Sequence, residues 1–139
     1  MNITIQQLIR IMPQSTAANR TKYLPLLNKY MPEYGIDTPD KIAKFLAQIA
    51  HESGQLRYVE EIASGEAYEG RKDLGNTQPG DGRRYKGRGL IQITGRKNYA
   101  AISAAFGVDF INNPYLLTEP DNAVRSACWW YKNNVLDKL

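Results

Sequence analysis

Glu52 stands at the end of an amphipathic stretch, in "AQIAHESG", next to His51, the chain's single histidine. Ile42, Phe45, Leu46, Ile49 and Ala50 form an apolar stripe that Glu52 interrupts, three residues after Ile49 and seven after Phe45. A 3.6-residue period predicts Glu52 on the buried edge of that helix. A carboxylate removed from water without a partner is costly, and the usual relief is to stay protonated. A protonated glutamic acid at the lip of a cleft is a general acid near neutral pH. The alternative is a structural glutamate that pairs with an arginine or caps a neighbouring helix. No Ser or Cys arrangement with a third orienting group surrounds His51, which reads as a support that hydrogen-bonds to fix the site.

Chemistry that cleaves a glycosidic bond needs two carboxyl groups. Glu61 follows Glu52 by nine residues. In one continuous helix that is about 13.5 Å of rise and half a turn, on opposite faces. Gly54 supplies a break after which the two could converge. Glu60, Glu66, Glu69, Asp73 and Asp81 compete for the second role and read as solvated loop charges. In "LIQIT", Gln92 and Thr94 are two apart, so on a strand they share a side with Leu90 while Ile91 and Ile93 fill the core. An amide and a hydroxyl there either bind sugar and hold a water, or are two exposed strand residues.

Helices must position these groups. Ile5, Leu8, Ile9 and Met12 space a first helix over 4–12, which Pro13 ends. A second runs from Ala17 to Tyr30 with Tyr23, Leu26, Leu27 and Tyr30 on one face, and Pro25 predicts a kink or split. The third has Thr38 as N-cap, Pro39 at the first helical position and Asp40 against the positive end of the dipole, and stops at Ser53-Gly54. Residues 63–84 hold five glycines and almost no apolar periodicity, which reads as a long functional or mobile loop. "YKGRGLIQITG" reads as a small β-hairpin, "KNYAAISAAFG" as a helix closed by Gly107, and "TEPDNAVRSACWWYKN" as a helix with Val124, Ala127, Cys128 and Tyr131 on its stripe. The expected fold is mainly α, an α+β arrangement in which one domain over 1–139 carries a small hairpin beside a cleft.

The composition excludes several classes. One cysteine, in "ACWWY", permits no internal disulfide, and with one histidine it cannot build a His/Cys zinc site. A net charge of +4 favours anionic partners such as a bacterial wall, but no block of five basic residues marks nucleic-acid binding. No window approaches 18 apolar residues, so no membrane insertion is expected. "MNITIQQLIRIMPQ" has no basic region followed by a long apolar run, so the expectation is a chain made in the cytoplasm without a signal peptide. "GDGRRYKGRG" lacks the Lys-Ser/Thr of a phosphate loop.

Together, "AHESG" and "GDGRRYKGRGLIQITGRKNY" resemble glycoside hydrolase family 19, the chitinase-like fold of the lysozyme superfamily, nearest to its phage and prophage endolysins. The resemblance runs from about Thr38 to Trp130. It implies Glu52 as general acid, Glu61 as the base that activates water, and Gln92 and Thr94 as residues that bind substrate and place that water. It sets Tyr85, Arg88 and Tyr99 at cleft or support positions, with His51 beside them. It implies inversion without metal or cofactor, with carboxyl groups roughly 6.5–9.5 Å apart. The implied substrate is a β-1,4-linked polymer of N-acetylated amino sugars, peptidoglycan or chitin, cut by a monomer released to the wall through a holin. A lytic transglycosylase and a non-catalytic wall-binding remnant are the alternatives. Relatives continue past the tryptophan-rich helix with an Asn-Gly-Gly segment, so one cleft wall is expected to be missing here. The loop between Glu61 and Arg83 is short for the family, which leaves the lid and the number of sugar subsites open.

Overall fold

Thr4 opens the first helix with a reciprocal cap. Its hydroxyl accepts from the Gln7 N–H at 3.2 Å, and its own N–H donates to Gln7 Oε1 at 2.8 Å. The computed structural model describes residues 2–139, and this helix, α1, spans Ile5–Ile11. Leu8 and Met12 enter the core, whereas Ile9, expected beside them, is 40% exposed.

Thr16 caps α2, Ala17–Glu33, which runs unbroken through Pro25. The predicted split is absent: Pro25 and Thr21 lie on the solvent side, where water can satisfy the carbonyl that proline leaves without a donor. The opposite face buries Tyr23, Leu27, Tyr30 and Met31, with Leu26 only partly covered.

Helix α3, Pro39–Glu52, begins as predicted: Thr38 accepts from the Lys41 N–H at 3.3 Å, with Pro39 and Asp40 in the first turn. Ile42, Phe45, Leu46 and Ile49 are at most 4% exposed. Phe45 meets Tyr131 edge-on, ring centroids 5.2 Å apart, which joins α3 to α6, Pro120–Asn134. Helix α6 also packs along α2, where the Tyr30 hydroxyl donates to Asp121 at 2.7 Å and Arg125 donates to Tyr34 at 2.9 Å. One apolar cluster joins residues from Ile3 to Tyr131, with Cys128 fully buried in it, as expected.

Residues 63–84 do not form the structureless loop the glycines suggested. They hold 3-10 turns at Glu66–Tyr68 and Lys72–Leu74, then a short helix α4, Asp81–Arg84. Glu66, Glu69 and Asp73 are exposed, as expected of loop charges, though each is paired, and only Asp81 is buried. Asp81, 1% exposed, takes two hydrogen bonds from Arg96 at 2.8 and 2.9 Å. Glu69 accepts from the N–H groups of Gly80 and Gly82, Glu66 pairs with Arg83, and Asp73 with Arg71. Buried Asn76 ties the Tyr68 carbonyl to the Arg96 N–H, at the start of α5, Arg96–Phe106.

The predicted hairpin is smaller still. Arg88 forms isolated antiparallel bridges to Glu60 and Ile93, and residues 89–92 are a turn. The fold is mainly α, as expected, and the β element is reduced to those bridges. No helix among the described residues is long and apolar enough to cross a membrane.

Candidate active site

Ser53 ends α3 by donating its hydroxyl to the Ile49 carbonyl at 2.5 Å and accepting the Leu56 N–H at 2.9 Å. Gly54, Gln55 and Leu56 then take left-handed conformations, φ 58°, 60° and 68°. This turn reverses the chain, so that Glu60 and Glu61 return alongside 87–88 instead of continuing along the axis of α3. Glu61 is seated by the backbone of Gly87 in both directions. Its N–H donates to the Gly87 carbonyl at 2.9 Å, and the Gly87 N–H donates to Glu61 Oε1 at 2.6 Å. The Tyr68 hydroxyl donates to the other carboxylate oxygen at 3.1 Å. A Cβ on Gly87 would lie 2.7 Å from Gln92 Oε1 and would push that amide aside.

Glu52, Glu61 and Gln92 line one open groove of about 270 Å3, with Tyr58, Glu60, Ile62 and Ala63 around them. Convergence of Glu52 and Glu61, which a continuous helix would forbid, is therefore realised through the turn. The expected burial of Glu52 is not: Glu52 is exposed. At about 100° per residue it lies roughly 80° from the centre of the apolar stripe, in the last turn, where no other element covers it. The stripe's continuation is Ser53, which is fully buried.

The strand reading of Gln92 and Thr94 is corrected in geometry. Gln92 has φ 64°, so alternation fails there, and Leu90, expected on the open face, is fully buried. Ile91 and Ile93 are buried as expected. The Gln92 amide donates to the Gly89 carbonyl at 3.0 Å, and the Thr94 hydroxyl to the Gln92 carbonyl at 3.1 Å. That leaves the Gln92 side-chain oxygen as an acceptor at the groove floor. Gln92 also borders a second depression of about 170 Å3, with Thr94, Asn98, Trp129 and Trp130, so the two hollows meet at its side chain.

Tyr85 and Tyr99 cannot touch a ligand, since both are fully buried. Their rings lie 5.0 Å apart and their hydroxyls donate to the carbonyls of Ile111 and Lys86. They carry the floor from beneath. Arg88, 8% exposed, donates to Glu60, to the Arg84 carbonyl and to the Tyr99 hydroxyl. Burial alone would raise the Glu60 carboxyl, but hydrogen bonds from Arg88 and Lys86 hold it below the usual range, so Glu60 is an anchored anion. Burial leaves Tyr99 far above an ordinary tyrosine; the charge and hydrogen bond of Arg88 act against it, and the nearby Glu60 and Glu61 carboxylates add to it. Burial and the Glu61 charge likewise raise Tyr68, which keeps it a donor across the neutral range. His51 is exposed on the last turn of α3 and takes no part in the hydrogen bonds that seat Glu61, contrary to its expected supporting role.

Sequence reasoning missed Tyr68, Tyr58, Ile62, Asn98 and the tryptophan pair. Trp129 and Trp130 carried a signal: adjacent to buried Cys128 on a helix, they are turned about 100° and 200° from it and must leave the core face. Tyr68 carried none, because its partner is set by the folding of the 63–84 segment. Among the described residues no His, Cys, Asp and Glu cluster could hold a metal ion.

Three glutamates and an amide around one open groove, carried by packed helices, fit a mainly α, lysozyme-like architecture. The chain belongs to glycoside hydrolase family 19: the family model, described as chitinase class I, matches residues 36–138. An endochitinase of Arabidopsis thaliana is 34% identical over 84% of this chain and 41% of its own length. A glycosyl hydrolase family 19 domain-containing protein of Haemophilus influenzae is 33% identical over 70% of this chain and 64% of its own length. Chitinase C from Streptomyces griseus superposes with a TM-score of 0.66 at 25% identity, over 95% of this chain and 55% of that one. A class IV chitinase from Zea mays shares the fold, with a TM-score of 0.71 at 24% identity over 97% of this chain and 72% of that one. The chain spans 41% and 35% of the lengths of two plant chitinases that it matches, so it corresponds to part of those proteins.

Proposed function

We propose that this chain hydrolyses β-1,4 bonds between N-acetylated amino sugars, with Glu52 as general acid and Glu61 as general base. The observation that carries the reading is the shared groove, which Glu52, Glu61 and Gln92 line together. Glu52 protonates the leaving oxygen, and sugar rings laid over the groove displace the water around it. Glu61 receives one donor on each oxygen, which leaves lone pairs on both for an attacking water. Gln92 Oε1 accepts from that water or from the substrate's acetamido N–H. A water attacking from the face opposite the leaving group inverts the anomeric centre.

The polymer is peptidoglycan or chitin. The chitinase names of the plant relatives favour chitin, and the +4 charge favours the anionic bacterial wall. We infer a lytic role on the wall, for a protein made in the cytoplasm and released to it. The test is reducing-sugar release from both polymers by the wild type, Glu52→Gln and Glu61→Gln. Each substitution is expected to lower turnover by about 100-fold or more. Full activity in Glu52→Gln would remove it as the acid. Activity retained in Glu61→Gln with anhydro-sugar products would make the chain a lytic transglycosylase. Pelleting with insoluble wall without turnover by the wild type would leave only a binding module.

A further inference from the structure

The two proposed catalytic residues are joined by a segment with three successive left-handed residues, of which only Gly54 adopts that conformation freely. At Gln55 and Leu56 the Cβ crowds the following carbonyl, and such a run persists only where its surroundings over-determine it. The turn's own bonds, Gln55 N–H to the Ala50 carbonyl at 2.7 Å and Tyr58 N–H to the Ser53 carbonyl at 2.9 Å, set its shape. They do not set its direction relative to the rest of the fold. That comes from the α1–α2 junction. The Gln14 N–H donates to Gln55 Oε1 at 2.7 Å, and Asn19 Nδ2 donates to the Leu56 carbonyl at 2.9 Å. Asn19 is itself placed by its N–H bond to the Thr16 cap at 3.1 Å, and the Leu56 side chain is 1% exposed. Gln14 and Asn19 both lie outside residues 36–138, the part that matches the family.

We propose that the α1–α2 junction is a bracket that sets the distance and angle between Glu52 and Glu61, with Asn19 and Gln55 as positioning residues. The proposal rests on the reading of those glutamates as acid and base. Two carboxyl groups that flank a sugar bond and one water lose rate steeply when either shifts by about 1 Å. A bracket therefore acts on turnover more than on substrate affinity.

Three variants test it. Asn19→Ala removes one clamp. Gln55→Gly removes the other while tolerating the left-handed backbone, which separates lost positioning from added strain. Asn28→Ala is the control, because it releases Ile3 at the far end of the same helix pair. On a soluble chito-oligosaccharide, kcat is expected to fall on the order of 10- to 100-fold in the first two. KM should stay within about twofold and Asn28→Ala should match the wild type. Amide exchange at Glu61, whose N–H is bound to Gly87, should quicken in the first two by on the order of 10-fold while α6 keeps its protection. Unchanged kcat in both variants, or a loss that follows Tm equally in Asn28→Ala, overturns the bracket. If the wild type shows no turnover, the hydrolase reading fails and exchange decides alone. Local loss of protection at Glu61 then supports the bracket, and unchanged protection overturns it.

Discussion

Glu61 is held at three points, the Gly87 carbonyl, the Gly87 N–H and the Tyr68 hydroxyl, while Glu52 is held by none of them. This asymmetry suits the proposed roles: an activated water needs a base of fixed direction, whereas an acid in an exposed position can follow its leaving group. Tyr68→Phe removes one of the two donors to the carboxylate and leaves the ring. Turnover is expected to fall about fivefold with stability changed by less than about 1 kcal/mol, measured by steady-state kinetics and urea titration. At this scale the sequence showed which residue types were available and, through the turn at Gly54, that two of them could meet. It did not show their partners. Tyr85 and Tyr99 were open between cleft and support, because an aromatic near a motif gives no hint of its side, and burial makes both supports beneath the floor.

Helices were legible because each carries its own instructions. Thr38, Pro39 and Asp40 start α3, and its apolar spacing buries the face that the period predicts. Pro25 does not split α2 because its face of the helix meets water. Pro25→Ala restores a helix donor at an exposed site, and it should stabilise the protein by about 1–3 kcal/mol in urea unfolding. The 63–84 segment was illegible because its bonds are side chain to backbone across 8 to 20 residues, with no period to read. Asp81 shows the consequence. Arg96 holds its carboxyl below the ordinary range against burial, so the ion pair contributes stability that is complete above about pH 4 and is lost as pH falls through the lower, folded value. Asp81→Asn should cost about 2 kcal/mol at pH 7, and its deficit should shrink in urea titrations below about pH 4.

Across the whole molecule, one apolar cluster draws on α1, α2, α3, α5 and α6, so the groove is a surface feature of a core it does not interrupt. Much of the positive excess near the groove is already committed: Arg71, Arg83, Lys86, Arg88 and Arg96 are all paired with carboxylates. On the proposed wall-directed reading, attraction to an anionic polymer comes from the remaining exposed lysines and arginines, which salt screens readily. Pelleting with peptidoglycan should fall between about 50 and 500 mM NaCl, while pelleting with uncharged chitin should change little. Equal salt response on both polymers would remove charge from the account of wall preference.

The lone bridges at Arg88 bear on how this chain tolerates change. A ladder of strands spreads load, so that one lost bond is carried by its neighbours. Here the span from Tyr85 to Gly95 hangs largely on Arg88, through its paired backbone bonds to Ile93 and its side chain, and on Gly95, where a methyl group would meet the Leu74 backbone. In evolutionary terms the floor is brittle and the helices are forgiving. Sequence drift should accumulate on the outer faces of α1, α2 and α5 long before it enters that span, and a redesign of specificity has more freedom in the walls than in the floor.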